Sequence, residues 1–190
     1  MTAVRLGSAD DATAVRAVYA PYVESSTISF ELEVPTESEM RARIVDRQPA
    51  HPFLVAARDG RVVGYAYAGP FSGRAAYDWS VETSVYVEEA AQGMGVGTRL
   101  YAALFAVLIA QGYRQAMAGI ALPNDASVAV HERLGFTLVG VYRSVGWKFG
   151  EWHDVAWWQR PLATGADLPV PPIPLDRLPP SVLADALRTI

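Results

Sequence analysis

Hydrophobic positions along this chain switch repeatedly between the two-residue period of strands and the longer period of helices. Val4 to Leu6 reads as a short strand. Ser8, with Asp11 three residues on, forms a capping box that opens an amphipathic helix to about Val23, with Pro21 disturbing its last turn. Thr27 to Glu31 reads as a strand or an extended loop. Pro35-Thr36 with Glu39 opens a second helix that ends before Pro49. Phe53 to Ala57 and Val62 to Ala68 are strands joined by an Asp59-Gly60 hairpin turn. Tyr77 to Val87, rich in β-branched and aromatic residues, reads as one long strand.

A glycine-rich loop follows, then a helix from Thr98 to Gln111 that Gly112 ends. Gln115 to Leu122 is a strand, and Asn124 starts a short helix to Leu134 that Gly135 stops. Thr137 to Val145 and Glu151 to Trp158 are the last strands, with Gly146 to Gly150 between them. Residues 169–180 are proline-rich and should be extended, and Ser181 to Thr189 has room for one or two helical turns. The alternation predicts an α/β (α+β) domain with a mixed sheet and flanking helices.

Composition narrows the chemistry. The 190 residues are enough for one compact domain, and 51% of them are hydrophobic. The absence of Cys excludes a disulfide scaffold, a thiolate metal site and a cysteine nucleophile. It also fits a reducing compartment, so a cytoplasmic setting is expected. No metal site is expected. A net charge of −4 disfavours nucleic acid or an anionic membrane as a bulk partner. The first residues lack the basic-then-apolar pattern of a secretory signal, and the longest apolar stretch, Leu100 to Ala110, is too short to span a bilayer. Lys148 is the only lysine.

The first candidate site is Gln92-Gly93-Met94-Gly95-Val96-Gly97-Thr98, between a strand and a helix N-terminus. Alternating glycines let backbone N–H groups approach a ligand closely. With the helix dipole they form a nest for an anion such as a pyrophosphate. The plain alternative is a tight strand-to-helix turn. The spacing matches neither a P-loop nor a dinucleotide fingerprint. The second candidate is Asn124, Ser127 and His131, whose spacings place them on one helix face; an ordinary N-cap accounts for Asn124 equally well. The third is Glu82, a carboxylate within an apolar and hydroxyl-rich strand, suited to accept a proton if partly desolvated.

The loop resembles the Q/R-x-x-G-x-G/A segment of the GNAT superfamily of N-acetyltransferases, and Asn124 to Phe136 resembles that superfamily's next block. His131 stands where the superfamily commonly has Tyr. Several further segments narrow the resemblance to phosphinothricin N-acetyltransferases: Tyr65 to Pro70, Arg74 to Trp79, Glu82 to Val87, Gly119 to Asp125 and Gly146 to Val155. That subgroup agrees with His131. Together the resemblance spans roughly residues 3–175.

The resemblance implies the GNAT acyl-CoA N-acyltransferase fold over residues 1–163, its sheet splayed at the acetyl-CoA site, with 164–190 as a proline-rich tail. It implies acetyl-CoA as co-substrate, its pantetheine arm beside Val85-Tyr86-Val87 and its phosphates on Gln92 to Thr98. Asn124 and Ser127 would contact the arm. It implies Glu82 and His131 as acid–base groups, and Phe30, Arg74 and Tyr77 as contacts to a small amino acid such as phosphinothricin, methionine sulfoximine or methionine sulfone. It further implies a homodimer, with Trp147, Trp152, Trp157 and Trp158 as interface anchors or core. Acetylation of another amine, such as a peptide N-terminus or small metabolite, and a non-catalytic CoA-binding module remain open alternatives. Lys148 lies in a family-like segment with no assigned role, and Phe149 stands where the family usually has His.

Overall fold

The computed structural model describes residues 2–164 and 170–188. Seven strands form one sheet in the order β1-β2-β3-β4-β5-β7-β6. In sequence these are β1 Thr2–Leu6, β2 Phe53–Arg58, β3 Arg61–Pro70, β4 Ser80–Val87, β5 Gln115–Leu122, β6 Thr137–Lys148 and β7 Glu151–Pro161. The helices are α1 Ala12–Glu24, α2 Glu37–Arg47, α3 Val96–Gln111, α4 Asp125–Arg133 and α5 Pro180–Arg188. Among the described residues, β4–β5 is the single parallel pairing.

Two cores cover the sheet, and alternation along the strands assigns residues to them. On one face α3 packs Leu100, Tyr101, Leu104 and Leu108 against Leu54, Ala56, Ala66 and Val81. On the other, Val15, Tyr19, Met40 and Ile44 of α1 and α2 pack against Phe53, Val55 and Tyr65. Local signals hold well. The Thr36–Glu39 capping box forms, with the Glu39 N–H donating to Thr36 Oγ1 at 3.2 Å and the Thr36 N–H donating to Glu39 at 2.6 Å. Asp59 and Gly60 both take positive φ, 51° and 79°, as a two-residue hairpin turn requires.

Two expectations change. The long strand from Tyr77 does not form, because Ala75–Tyr77 is a 3-10 turn closed by Tyr77 N–H donating to Arg74 C=O at 2.9 Å, and β4 starts at Ser80. Residues Gly146 to Gly150 are not a five-residue connector. The turn is Phe149-Gly150 alone, with φ of 53° and 80°, and β6 runs on to Lys148. Of the two readings of Thr27 to Glu31, strand or extended loop, the loop is the one that forms.

Of the proline-rich segment, residue 169 lies outside the described residues, 170–174 is irregular, and Leu175–Arg177 is a 3-10 turn. The segment packs back onto α3: Leu175, Leu178 and Ala186 bury against Val107. The Gln111 side-chain amide ties it down by donating to Ala50 C=O at 2.9 Å and Ile173 C=O at 2.8 Å. The Trp79 indole donates to Val170 C=O at 2.8 Å. The tryptophans divide: Trp158 is core, whereas Trp147 and Trp152 are exposed and meet edge to face at 5.2 Å.

Candidate active site

The site starts where the sheet forks. β4 and β5 pair only through Ser80–Glu82 and Gln115–Met117, while β4 stays paired to β3 as far as Val87 and β5 to β7 as far as Leu122. Beyond Glu82 the two strands therefore part into a V. Thr83 makes the last link at the fork, its hydroxyl donating to Met117 C=O at 3.1 Å. In an antiparallel pair, alternate residues direct both backbone groups to the same side. Glu88 N–H donates to Val63 C=O at 2.9 Å, so Val87 and Val85 turn theirs into the V. At Val87 the Tyr22 hydroxyl from α1 takes both groups, donating to the C=O and accepting from the N–H at 3.3 Å. Gln92 also donates to that hydroxyl, at 3.1 Å.

The glycine-rich loop closes the open end of β4. Gly93 and Gly95 take φ of 73° and 78°, a left-handed conformation that favours glycine. Gly95 caps α3, and the first helical bond joins Arg99 N–H to Gly95 C=O at 3.0 Å. The N–H groups of Val96, Gly97 and Thr98 precede that bond and have no intrahelical acceptor. Met94 is exposed and Val96 is buried, anchoring the turn. A 16-residue helix dipole and these free amides suit an anionic, phosphate-bearing group.

β4 divides the expected acid–base pair. Val81 and Thr83 face α3, whereas Glu82 lies opposite Gly69 in the register, on the face of α1 and α2. Glu82 has open surface, yet enough protein surrounds it that desolvation raises its pKa, partly offset by the positive Arg47 guanidinium.

His131 lies on the α3 face and is 4% exposed. Its Nδ1 lies 2.8 Å from the Ser127 C=O, which can only accept, so Nδ1 carries the proton. Nε2 therefore accepts from the Tyr101 hydroxyl at 3.0 Å. Burial lowers the His131 pKa, with the hydrogen bond to Ser127 opposing, and burial raises that of Tyr101, near which Thr83 lies. A polar chain thus runs from Ser127 through His131 to Tyr101, whose hydroxyl lies near Thr83 at the fork. Asn124 is the N-cap of α4, its Oδ1 accepting the Ser127 N–H at 3.1 Å.

The expected acceptor contacts are spread out. Phe30 is half-buried against Gly146, where an added Cβ would overlap its ring. Arg74 and Tyr77 are exposed on the β3–β4 connection, Tyr77 meeting Phe71 edge to face at 5.7 Å. No hydrogen bond or ring contact ties them to Phe30, Glu82 or His131 among the described residues. Sequence reasoning missed three polar residues here: Tyr22, Tyr101 and Arg47. It also left Lys148 open. The Lys148 ammonium is buried and donates to Val23 C=O at 2.6 Å and Ser29 C=O at 2.7 Å, pinning the loop that carries Phe30 to the end of α1. Its pKa is lowered by burial, with Glu31 opposing. Among the described residues no group of His, Asp or Glu could hold a metal ion, and no helix is long and apolar enough to cross a membrane.

Comparison with known proteins agrees with this geometry. Residues 4–157 match the model for an acetyltransferase (GNAT) domain. The chain belongs to the GNAT acetyltransferase family. It is 44% identical over 172 residues to phosphinothricin N-acetyltransferase of Streptomyces viridochromogenes, covering 90% of this chain and 92% of the relative. It is 35% identical over 162 residues to the L-methionine sulfoximine/L-methionine sulfone acetyltransferase of Pseudomonas aeruginosa, covering 82% and 92%. The crystal structure of a phosphinothricin acetyltransferase from Sinorhizobium meliloti in complex with AcCoA superposes with a TM-score of 0.86 at 35% identity, covering 93% of this chain and 97% of that one. This GNAT protein is accordingly an N-acetyltransferase of the phosphinothricin type that uses acetyl-CoA.

Proposed function

We propose that the protein transfers an acetyl group from acetyl-CoA to the α-amine of a small amino acid of the phosphinothricin, methionine sulfoximine or methionine sulfone class. The observation carrying this reading is Glu82, a carboxylate with a raised pKa one residue from the fork. Relatives named for these substrates, matched over most of their length, support the choice of class. Acetyl-CoA supplies the activated thioester carbonyl. Val85 backbone groups and the free amides of the glycine-rich loop hold it, and the Val85 N–H is positioned to polarise that carbonyl.

Glu82 takes a proton from the ammonium of the acceptor, directly or through water, and frees the amine lone pair. The new N–C bond forms as the C–S bond breaks, and the thiolate leaves with the sulfur's electron pair. Glu82 holds the first proton taken from nitrogen, and the second, lost as the adduct becomes the amide, passes to the departing thiolate directly or through water. His131 acts through Tyr101: its neutral Nε2 holds that hydroxyl at the fork beside Thr83. Arg74, Tyr77 and Phe30 contact the acceptor.

A homodimer accompanies this reading. The β6–β7 hairpin leaves Val139, Tyr142, Trp147 and Trp152 exposed along an edge of the sheet, an apolar face suited to a second copy. A cytoplasmic setting goes with a cysteine-free chain. The test is thiol release from acetyl-CoA with phosphinothricin, methionine sulfoximine, methionine sulfone, ordinary amino acids and peptides. Release with the first three supports the proposal. Release with peptides alone, or with no amine, overturns it. Sedimentation at micromolar concentration tests the dimer, and a monomer there refutes it.

A further inference from the structure

A cavity of about 240 Å³ lies on the same sheet face as Glu82, and Tyr19, Glu31, Arg43, Arg47 and Tyr67 line part of it. Two arginines meet one carboxylate there. Arg43 is taken, since both its terminal nitrogens donate to Glu31, at 2.7 and 3.0 Å. Arg47 has no carboxylate within ion-pair distance among the described residues. Its Nη1 donates to Ala68 C=O at 3.0 Å, its guanidinium lies 4.4 Å over the Tyr67 ring, and its buried Nε has no hydrogen-bond partner. A guanidinium stacked on a ring is held flat, with its in-plane donors left for a planar anion. Glu82 feels this guanidinium electrostatically but forms no ion pair with it, so the half-buried cation keeps donor capacity that an added carboxylate would complete.

The register places this cation beside the proposed base. A Cβ on Gly69 would collide with Arg47 Nη1, so only glycine lets the guanidinium rest on β3 there. Gly69 is the residue directly opposite Glu82. Side chains of directly opposed residues share a face and stand about 5 Å apart at Cβ. In an α-amino acid, the carboxylate carbon and the amine nitrogen are two bonds apart. A carboxylate on Arg47 therefore directs the amine toward Glu82.

We infer that Arg47 is the acceptor-recognition residue that receives the α-carboxylate, restricting the enzyme to free α-amino acids. This rests on the function proposed above. The test compares thiol release with methionine sulfoximine, phosphinothricin and their α-carboxamides, in the full chain and in Arg47→Gln and Arg47→Lys. The parent should prefer each acid over its amide by about 10- to 100-fold in kcat/KM, the range of a charge-assisted bond to a carboxylate.

Arg47→Gln should raise KM for the acids by a similar factor and reduce the preference to a few-fold. Arg47→Lys should recover part of it. Acetyl-CoA affinity by calorimetry should match the parent in both. A parent that takes acid and amide equally overturns the inference even where Arg47→Gln fails to fold. So does an Arg47→Gln protein that keeps the acid preference, or that loses acid and amide activity by the same factor. A parent active on no α-amino acid overturns the proposed function as well, whereas an active parent with an unchanged preference in the variant overturns only the role of Arg47.

Discussion

Replacing His131 by Phe separates a structural role from a chemical one. The ring volume stays, and with it the edge-to-face contacts to Tyr101 at 5.3 Å and Phe136 at 5.0 Å. Both nitrogens go. The Tyr101 hydroxyl, fully buried, then loses the acceptor at 3.0 Å, and the Ser127 carbonyl loses its donor at 2.8 Å. Leaving such a buried group unpaired costs about 1–3 kcal/mol. Adding Tyr101→Phe removes the orphaned hydroxyl and should return about 1 kcal/mol of it.

The pH dependence gives a second reading of the same change. The folded His131 pKa lies below the ordinary 6.5, so over the interval between the two values the unfolded chain binds the extra proton. Its stabilising preference for the neutral ring is present above 6.5 and is lost as pH falls through the folded value. The slope reaches at most about 1.4 kcal/mol per pH unit for one proton. His51, also depressed by burial, has the same sign, while Glu82, whose pKa is raised, has the opposite sign at lower pH. Urea unfolding at a series of pH values from neutral to mildly acidic should therefore show a shallower acid loss in His131→Phe than in the parent, without abolishing it.

Activity completes the test. A positioning role predicts less than a tenfold loss of kcat and an unchanged pH–rate profile, whereas a proton-transfer group would lose about 10²–10⁴-fold with one limb of the profile. Equal acid slopes in the two proteins, or a double variant less stable than the single, would refute the reasoning.

Three further changes probe the same architecture. Glu82→Gln should lower kcat/KM by about 10²–10⁴-fold with acetyl-CoA affinity unchanged; the acid limb of the parent profile, lying above the usual glutamate range because the carboxylate is desolvated, should disappear. Gly146→Ala should displace the Phe30 ring, raise acceptor KM and cost about 1–3 kcal/mol in urea unfolding, with cofactor binding unaffected. Lys148→Met should strip the Val23 and Ser29 carbonyls of their donor, cost about 1–3 kcal/mol, and expose residues 26–34 to limited proteolysis; equal digestion of both proteins would argue against the clamp.

How much of this the sequence carries depends on the span of each interaction. The Thr36–Glu39 cap, the Asp59-Gly60 turn and the glycine-rich loop are set by residues within a few positions of one another, and all three form where local chemistry places them. Tyr77 has strand character, yet a three-residue turn and the pairing of Trp79 C=O with Arg114 N–H at 2.9 Å displace the start of β4. The site residues that escaped sequence reading depend on distant partners. Lys148 meets the Val23 carbonyl across 125 positions, and Arg47 meets the Ala68 carbonyl across 21. Tyr101 looks like one more apolar position of α3 until His131 is folded against it. Glu82 and His131 were both recognisable as chemical groups, but only the pleat of β4 shows that they stand on opposite faces.

That pleat has an engineering consequence. Consecutive residues of one strand serve opposite faces of the sheet: Glu82 lies on the side of Arg47, and Thr83 on that of Tyr101 and α3. On the proposed reading, a library aimed at new acceptors can therefore be confined to the lining of α2 and β3, leaving untouched the residues of the fork, Tyr22 of α1 included. Libraries of that kind should keep a constant donor affinity as a built-in control, so that each gain or loss of turnover reports on acceptor recognition alone.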